Sequence, residues 1–201
     1  MNIEGKVALV TGGAHRVGKA ITMELSQRGA AVIINYNQSK DMALTTAQEA
    51  KTFGVRAITK KANVANREEV STMISESEDL LGPIQILINS ASFFAKTELP
   101  TDTTEDWDRV INTLIQGAFN CTNSVAPTMQ TVGAGVIINI VDLMAWIPRR
   151  GYAAHSVGKA AIMALTISDT NVKSLVCVPS PTTVKGLFAN FWARKTPKTA
   201  P

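Results

Sequence analysis

The stretch "KVALVTGGAHRVGKA", Lys6 to Ala20, decides the fold of this chain. Its first six residues are almost continuously apolar, which is typical of a strand buried on both faces of a parallel sheet. Gly12, Gly13 and Gly18 follow, and helical periodicity begins directly after them. A glycine-rich turn between a strand and a helix lets backbone N–H groups approach a diphosphate at the positive end of the helix. The stretch therefore predicts a nucleotide-binding turn, with a tight connection that binds no ligand as the alternative.

The same alternation of strand and helix continues along the chain. The apolar runs predict strands over 6–11, 30–36, 55–61, 84–89, 135–141 and 172–178, and helical periodicity predicts helices over about 17–29, 39–53, 67–81, 104–131 and 153–167. Such alternation predicts a doubly wound α/β fold, with a parallel sheet between two layers of helices. We predict one such domain over 1–181, followed by a basic tail over 182–201 that is helical or partly disordered.

Short signals mark several helix ends. Asn66, with Glu69 three residues later, predicts a capping box at the start of the third helix. Thr103 predicts the N-terminus of the long fourth helix. Gly29 and Gly54 stand where the first two helices are expected to end.

The composition narrows the range of functions. Of the 201 residues 45% are hydrophobic and 18% are charged, and the apolar runs are too short to cross a bilayer. No secretory signal is expected before the first strand. Cys121 and Cys177 lie in apolar patterns and predict reduced core residues and a cytoplasmic setting. Without a CxxC pair or a His/Cys cluster, no metal site is expected.

The net charge of +4 raises the question of nucleic-acid binding. No acidic residue follows Asp169, whereas several lysines and an arginine do, so most of the excess belongs to the tail. A solvated basic tail is therefore favoured over a nucleic-acid surface.

The end of the second predicted strand indicates which cofactor the chain prefers. It continues as "NYNQSK", Asn35 to Lys40, with no acid before Asp41. An Asp or Glu at this place usually holds a free ribose 2′-hydroxyl, and its absence admits a 2′-phosphate. Ser39 can donate a hydrogen bond, while Lys40 and Arg16 supply positive charge. The stretch favours NADP(H) over NAD(H), and Ser39 can also be the N-cap of its helix.

From about Ile3 to Pro181 the chain resembles the short-chain dehydrogenase/reductase family, and within it the pteridine reductase-like branch. The family's turn reads TGxxxGxG, and Arg16 replaces the middle glycine, as in that branch, where the arginine contacts cofactor and ligand. The family motif NNAG corresponds to "NSAS", Asn89 to Ser92. Its last serine and Phe94 match the branch, in which the serine borders the substrate and the phenylalanine stacks a pterin ring. The resemblance implies a Rossmann-type fold.

The resemblance also assigns the catalytic positions. In "GYAAHSVGK", Gly151 to Lys159, the lysine matches the family lysine that binds the nicotinamide ribose. His155 stands where the family has its proton-donating tyrosine. Asp142, thirteen residues earlier, stands at the family's serine position, where the branch has an aspartate. The resemblance therefore implies that Asp142 positions a proton, that His155 donates it, and that Lys159 holds the ribose.

Further contacts follow from the same resemblance. Asn63 and Val64 take the place of the family's Asp-Val pair beside the adenine, and "PSP", Pro179 to Pro181, takes the place of its Pro-Gly turn. The expected cofactor-binding residues are Gly12, His15, Arg16, Val17, Gly18, Tyr36, Ser39, Asn63, Val64, Asn89, Ser90, Ala91, Lys159, Pro179 and Ser180. The expected substrate-binding residues are Arg16, Ser92 and Phe94.

Several departures from the family pattern affect residues that the resemblance assigns to proton transfer. An imidazole nitrogen stops roughly 2 Å short of a phenolic oxygen, and misplacement by about 1 Å can cost on the order of a hundredfold in rate. Leu114 stands where an asparagine usually supports the proton relay. Tyr152 lies about 10 Å along the helix from Lys159, so it is expected to pack rather than to replace the acid. The chain is also about 50 residues shorter than common family members.

Two functions remain open on these grounds. The first is an NADPH-dependent reductase of a small carbonyl or pterin-like C=N compound, with impaired chemistry and a possible homo-oligomeric assembly. The second is a nucleotide-binding protein or scaffold subunit without turnover. Neither involves nucleic acid, a membrane or a metal.

Overall fold

The computed structural model describes residues 2–167 and 173–177, and for Ile167 and residues 173–177 it describes the backbone alone. The strands are β1 Val7–Val10, β2 Ala31–Tyr36, β3 Ala57–Lys61, β4 Ile84–Asn89, β5 Val136–Ile140 and β6 Lys173–Cys177. The helices are α1 Arg16–Gln27, α2 Lys40–Lys51, α3 Arg67–Leu81, α4 Glu105–Ile111, α5 Gly117–Val132 and α6 Ala153–Ile167. The predicted tail over 182–201 lies outside the described residues, so the division into domain and tail stays a prediction.

The six strands form one parallel sheet in the order β3-β2-β1-β4-β5-β6. This confirms the doubly wound α/β fold, because the strand order reverses between β1 and β4. In such sheets ligands bind at the carboxyl ends of the strands, beside the point of reversal. The glycine turn after β1 and the loop after β4 both lie at that place.

Successive residues of each strand face opposite layers of helices. Ala8 and Val10 of β1 belong to one buried cluster, which α1 and α2 cover. Val7 and Leu9 belong to another, which α3 and α5 cover. Because a strand has a side-chain period of two, a strand buried on both faces must be apolar at every position. This explains why β1 has no polar residue.

A third buried cluster lies on one flank of the sheet. It joins Val110 of α4, Leu114, and Ala154 and Ile162 of α6. This packing fixes α6, which carries His155 and Lys159, against the long helix.

Of the two hydrogen-bonding contacts in the predicted capping box of α3, the structure contains the one made by Asn66 but not the one made by Glu69. Asn66 Oδ1 accepts hydrogen bonds from the N–H groups of Glu68, at 2.9 Å, and Glu69, at 3.1 Å. The Glu69 carboxylate does not return to the N–H of Asn66, as a capping box requires. It accepts from the N–H of Asn63, at 2.8 Å, and so fastens the preceding loop.

The prediction for the long helix was wrong at its start and incomplete in its middle. Thr103 lies outside α4, because its carbonyl accepts a hydrogen bond from the Thr101 hydroxyl at 2.9 Å in a local turn. The N-cap position is Thr104, whose hydroxyl donates to Asp108 Oδ2 at 2.9 Å. Between α4 and α5 the chain forms a π-helical segment over Asn112–Gln116. A segment of this kind is rare and is frequent at functional sites.

The glycines after α1 and α2 end those helices as predicted. Gly29 has a φ of +83° and Gly54 a φ of +80°. Residues with a Cβ are strained in this left-handed region, so glycine is the favoured residue where a helix turns toward the next strand.

Cys121 confirms the predicted reduced core cysteine. It is free and fully buried, and burial raises the pKa of its thiol to about 12. The thiol is therefore unreactive at neutral pH. The side chain of Cys177 lies outside the described part of the chain.

Asn120 of α5 offers a test of the packing between the long helix and the loop after β3. Its amide donates to the carbonyls of Val64, at 3.0 Å, and Ala65, at 3.2 Å. We expect Asn120→Ala to lower the free energy of unfolding by about 2 kcal/mol, because buried acceptors lose their donor. Asn123→Ala, at an exposed position of the same helix, should change it by less than about 0.5 kcal/mol. Urea unfolding followed by circular dichroism measures both, and equal values would contradict the assignment.

Candidate active site

Thr11 ties the ends of β1 and β4 together. Its hydroxyl accepts the N–H groups of Ser90 and Ala91, each at 3.0 Å, and donates to the carbonyl of Ile88 at 3.3 Å. The side chain is buried, at 1% exposure. The predicted motif "NSAS" is thereby held directly against the glycine turn.

Gly12 and Gly18 are required by close packing within the turn. Gly12 has a φ of +62°, and a Cβ there would lie 3.0 Å from the Cα of Ala91. A Cβ on Gly18 would lie 2.1 Å from the carbonyl oxygen of Gly12. Any side chain at these positions would push the turn away from β4 and from the start of α1.

Asn35 of β2 holds the glycine turn after β1 in place by a hydrogen bond. This role was not predicted from the sequence. Its Oδ1 accepts the N–H of Gly12 at 3.3 Å, and its amide donates to the carbonyl of Ala62 at 3.0 Å. Asn35 is only 2% exposed. A polar residue at the end of an apolar strand was the available signal, since buried amides need partners.

The turn fits a diphosphate at the start of α1. His15 occupies the N-cap position but its side chain makes no capping hydrogen bond, so it does not satisfy the first N–H groups of the helix. His15 and Arg16 are exposed, Val17 is half-buried and Gly18 is buried. The predicted cofactor contacts of the turn are thus together at the helix's positive end.

Arg16 adopts a backbone conformation that favours glycine. Its φ is +50°, and it is the one non-glycine residue with a positive φ in the described part of the chain. The left-handed region costs a residue with a Cβ roughly 1–2 kcal/mol. A glycine, the family's residue at this place, would adopt this conformation without that cost.

The residues predicted to hold the adenosine end lie after β2. Tyr36 and Ser39 are half-buried and Lys40 is exposed. Ser39 is the N-cap of α2 by position, but its hydroxyl makes no capping hydrogen bond. The prediction that Ser39 is the N-cap of its helix is confirmed, and because its hydroxyl makes no capping hydrogen bond, the hydroxyl is also available to a ligand. The first acid after β2 is Asp41, inside α2.

Asn63 and Val64 are held in place by their own loop and by the long helix. Asn63 Oδ1 accepts the N–H of Ala65 at 3.1 Å. Val64 is 5% exposed, and a Cβ on Gly117 would lie 2.6 Å from its Cγ2. The small residue on α5 is what allows this close approach.

Asn89 ends β4 in a buried polar chain. Its amide donates to Asn139 Oδ1 at 2.8 Å, and the Asn139 amide donates to the Thr166 hydroxyl at 2.8 Å. Asn89 Oδ1 is buried and has no hydrogen-bond partner among the described residues. A buried acceptor in this state is available to a donor from outside that part of the chain, such as a bound ligand.

Asp142 and His155 form a hydrogen-bonded pair at the carboxyl end of β5. Nε2 of the histidine lies 2.7 Å from Oδ2 of the aspartate, and Oδ1 accepts the N–H of Met144 at 2.9 Å. The His155 side chain is 4% exposed and that of Asp142 is 38% exposed. His155 Nδ1 is buried and has no hydrogen-bond partner in the described part of the chain. The pair therefore meets solvent through the carboxylate, and the imidazole lies behind it.

Opposing effects act on the pKa of Asp142, with a net lowering. Partial burial raises the pKa, but hydrogen bonds from His155 and from the Met144 N–H, together with the charges of His155 and Lys159, lower it further than burial raises it. The carboxyl is consequently ionised at neutral pH.

Lys159 is buried one helical turn beyond His155. It is 5% exposed, and its Nζ donates to the carbonyl of Ile140 at 2.7 Å. Burial lowers its pKa to about 8, and the charge of Asp142 opposes that effect. Both side chains lie on the inner face of α6, as the spacing predicted, but their polar atoms contact different partners.

Phe94 connects this pair to a second aromatic ring. It stacks on Tyr152, with ring centroids 4.7 Å apart and planes 20° apart. Its ring also meets His155 edge-on, at 4.8 Å and 81°. Phe94 remains 51% exposed and Ser92 is exposed. Tyr152 packs against Phe94, as predicted.

Leu114 leaves no polar group at the place of the family's asparagine. It lies in the π-helical segment at 1% exposure, and a Cβ on Gly158 of α6 would lie 2.6 Å from its Cδ1. Asn112, two residues earlier, is exposed. The predicted residues Pro179 and Ser180 lie outside the described residues.

The fold and this edge of the sheet define a class of nucleotide-binding α/β proteins, and comparison with known proteins identifies the family. The family model "short chain dehydrogenase" matches residues 6–174, and the chain belongs to that family of oxidoreductases.

Relatives with known names give finer comparisons. The chain is 35% identical over 161 residues to 3-oxoacyl-(acyl-carrier-protein) reductase FabG of Staphylococcus epidermidis, covering 80% of this chain and 66% of the relative. It is 30% identical to a short-chain type dehydrogenase/reductase of Picea abies, covering 92% and 73%. The chain thus spans about two thirds of the length of the reductases that it matches.

Solved structures agree with the fold. The crystal structure of NAD+-bound xylitol dehydrogenase superposes with a TM-score of 0.78 at 26% identity, over 83% of this chain and 64% of that one. A putative short-chain alcohol dehydrogenase from Sinorhizobium meliloti superposes with a TM-score of 0.84 at 22% identity, over 89% and 74%.

Residues 2–167 and 173–177 contain no group of three His, Cys, Asp or Glu side chains that could hold a metal ion. None of the helices in the same range has the length and apolar character needed to cross a bilayer.

The lowered pKa of Lys159 predicts a pH dependence of stability. Between about 8, its value in the folded chain, and 10.5, its ordinary value, the unfolded chain binds a proton that the folded chain does not. The free energy of unfolding should therefore rise with pH across this window, by about 3 kcal/mol at most, relative to a Lys159→Met variant. Denaturant unfolding at a series of pH values measures it. Parallel curves for the two proteins would show that Lys159 titrates normally.

Proposed function

We propose that the chain is an NADP(H)-dependent oxidoreductase that moves a hydride between nicotinamide and a carbonyl or pterin-like C=N group, with impaired chemistry. The observation that carries the proposal is the Asp142–His155 hydrogen bond of 2.7 Å beside the buried Lys159. These groups stand at the catalytic positions that the resemblance to the family implies, and they lie beside the carboxyl end of β5. A structural ion pair would not need to lie at the ligand-binding edge of the sheet.

The turn after β1 and its neighbours would hold the cofactor. The first N–H groups of α1 would bind the diphosphate, and Lys159 the nicotinamide ribose. Asn63 and Val64 would border the adenine, and Pro179 and Ser180 the nicotinamide. When bound, the nicotinamide supplies or accepts the hydride.

The exposed cations near β2 favour NADP(H). Arg16 and Lys40 are exposed and Ser39 has a free hydroxyl, so these three groups can contact a 2′-phosphate. The absence of an acid between Tyr36 and Asp41 removes the usual partner of a 2′-hydroxyl.

Proton transfer passes through Asp142 in this geometry. His155 Nε2 and Asp142 Oδ2 lie 2.7 Å apart, within hydrogen-bond distance, and Asp142 is the more exposed member. In a reduction the substrate's oxygen or nitrogen takes a proton from Asp142. The buried imidazole of His155 then returns a proton to the Asp142 carboxylate. The lowered pKa of Asp142 makes its protonated form scarce at neutral pH, which slows donation.

The relatives and the residues next to Asp142 and His155 both bear on the class of substrate. The 3-oxoacyl reductases among the relatives are named for a carbonyl substrate, which supports that class. Phe94, half-exposed and next to His155, supports a flat ring such as a pterin, with Ser92 and Arg16 at the same edge. The substrate is in either case a small molecule.

A nucleotide-binding protein without turnover is the second candidate. Leu114 places an aliphatic side chain where the family has an asparagine that supports the proton relay, so no hydrogen bond can form there. The His155 imidazole is buried, which keeps its nitrogens from the cleft. Either function is proposed for a cytoplasmic protein that binds through its domain over 1–181 and can form a homo-oligomer.

Restoring the family's acid distinguishes the two candidates. We expect His155→Tyr to raise the rate of NADPH oxidation with a diketone or dihydrobiopterin on the order of a hundredfold, because the phenol reaches farther than the imidazole. Tyr152→Phe keeps its ring stacking and serves as the control, with an unchanged rate. NADPH binding by fluorescence with no turnover in either protein would favour the second candidate.

The proposed cofactor preference has a test of its own. Lys40→Gln should weaken binding of NADPH about tenfold and leave NADH unaffected, because one contact to the 2′-phosphate is lost. Lys51→Gln, at the exposed end of the same helix, is the matched control. Fluorescence titration with both cofactors measures the ratio. An equal loss for NADH would place Lys40 elsewhere on the cofactor.

A further inference from the structure

A cavity lies beside the stacked rings of Phe94 and Tyr152 and outside the proposed catalytic and cofactor-binding residues. It has a volume of about 750 Å³ and lies between the loop after β4 and the start of α6. Its lining includes Lys96, Glu98, Arg149, Arg150 and Tyr152. All lie in the described part of the chain, and the lining contains neither the Asp142–His155 pair nor any residue of the glycine turn.

The two walls of the cavity are fixed to one another by Thr97. Its N–H donates to the carbonyl of Gly151 at 2.8 Å, and its hydroxyl accepts the N–H of Ala154 at 2.9 Å. Thr97 is 7% exposed and forms a parallel bridge with Tyr152. The cavity is therefore part of the fold rather than a gap between loose loops.

The charge of the lining is positive. Lys96, Arg149 and Arg150 contribute three cations against the single carboxylate of Glu98. No ion pair joins any of these four side chains to another group among the described residues. Three cations around one concave surface repel each other and attract an anion.

One further contact holds a cation at the cavity. The guanidinium of Arg149 lies over the ring of Tyr152, 5.2 Å from its centroid, which restrains one of the cations.

We propose that this cavity binds a small hydroxylated anion that carries a phosphate or several carboxylates. Lys96, Arg149 and Arg150 hold its charged groups, and Glu98 accepts hydrogen bonds from its hydroxyls. A volume of about 750 Å³ suits an organic ligand rather than a single inorganic ion. This inference does not depend on the proposed oxidoreductase activity.

The test is calorimetric titration at low ionic strength with two probes, glucose 6-phosphate and citrate. We expect at least one to bind the wild-type chain, and more weakly as salt is added, since exposed charges are screened. The double variant Arg149→Gln/Arg150→Gln should weaken that binding at least about tenfold. Arg150→Gln alone, which removes one exposed charge, is the fallback if the double variant fails to fold, and should weaken binding severalfold.

The controls separate this cavity from the cofactor turn. Arg16→Gln and Lys51→Gln should leave the affinity unchanged, and saturation with NADPH should not displace the probe. Binding of glucose 6-phosphate alone assigns a phosphate ligand, and binding of citrate alone assigns a carboxylate. Loss of binding in Arg16→Gln but not in the Arg149/Arg150 variants would overturn the proposal, as would no heat from either probe at millimolar concentration.

Discussion

The parallel direction of all six strands is the constraint from which the rest of the site follows. It brings the carboxyl ends of β1, β4 and β5 to one edge, so residues far apart in sequence become neighbours. Thr11 uses this by hydrogen bonding to Ser90 and Ala91, which lie at the end of a different strand. The Asp142–His155 pair lies at the same edge, because Asp142 comes just after β5. Each polar contact of the site depends on strands that are held by backbone hydrogen bonds to their neighbours and by apolar packing on both faces.

The sequence predicted the elements well where their apolar pattern is simple. The bounds of α3, α6 and β4 agree with the helices and strand predicted over 67–81, 153–167 and 84–89. Buried strands are apolar throughout and helices have one apolar face, so both patterns are visible in the chain itself. Caps were less predictable, since Thr103 and Thr104 are chemically equivalent and only the local turn around Thr101 decides between them.

The site was predictable in its membership but not in its contacts. Motif positions indicated Asp142, His155 and Lys159, and the structure brings all three to the end of β5. Their spacing could not show that Lys159 donates to a carbonyl or that Asp142 lies in front of His155. The support from Asn35 and the stack of Phe94 on Tyr152 are also contacts across the sheet edge, which no local pattern records.

The π-helical segment over Asn112–Gln116 has a consequence for how the long helix is compared with other proteins. A π turn holds one residue more than an α turn, so every side chain after it is rotated by about 100° from the position that a continuous α-helix would give. A helical wheel drawn from Glu105 therefore assigns the wrong face to α5. Beyond this segment, a sequence alignment and a structural superposition of the helix pair different residues. Only the superposition identifies the side chains that face α6.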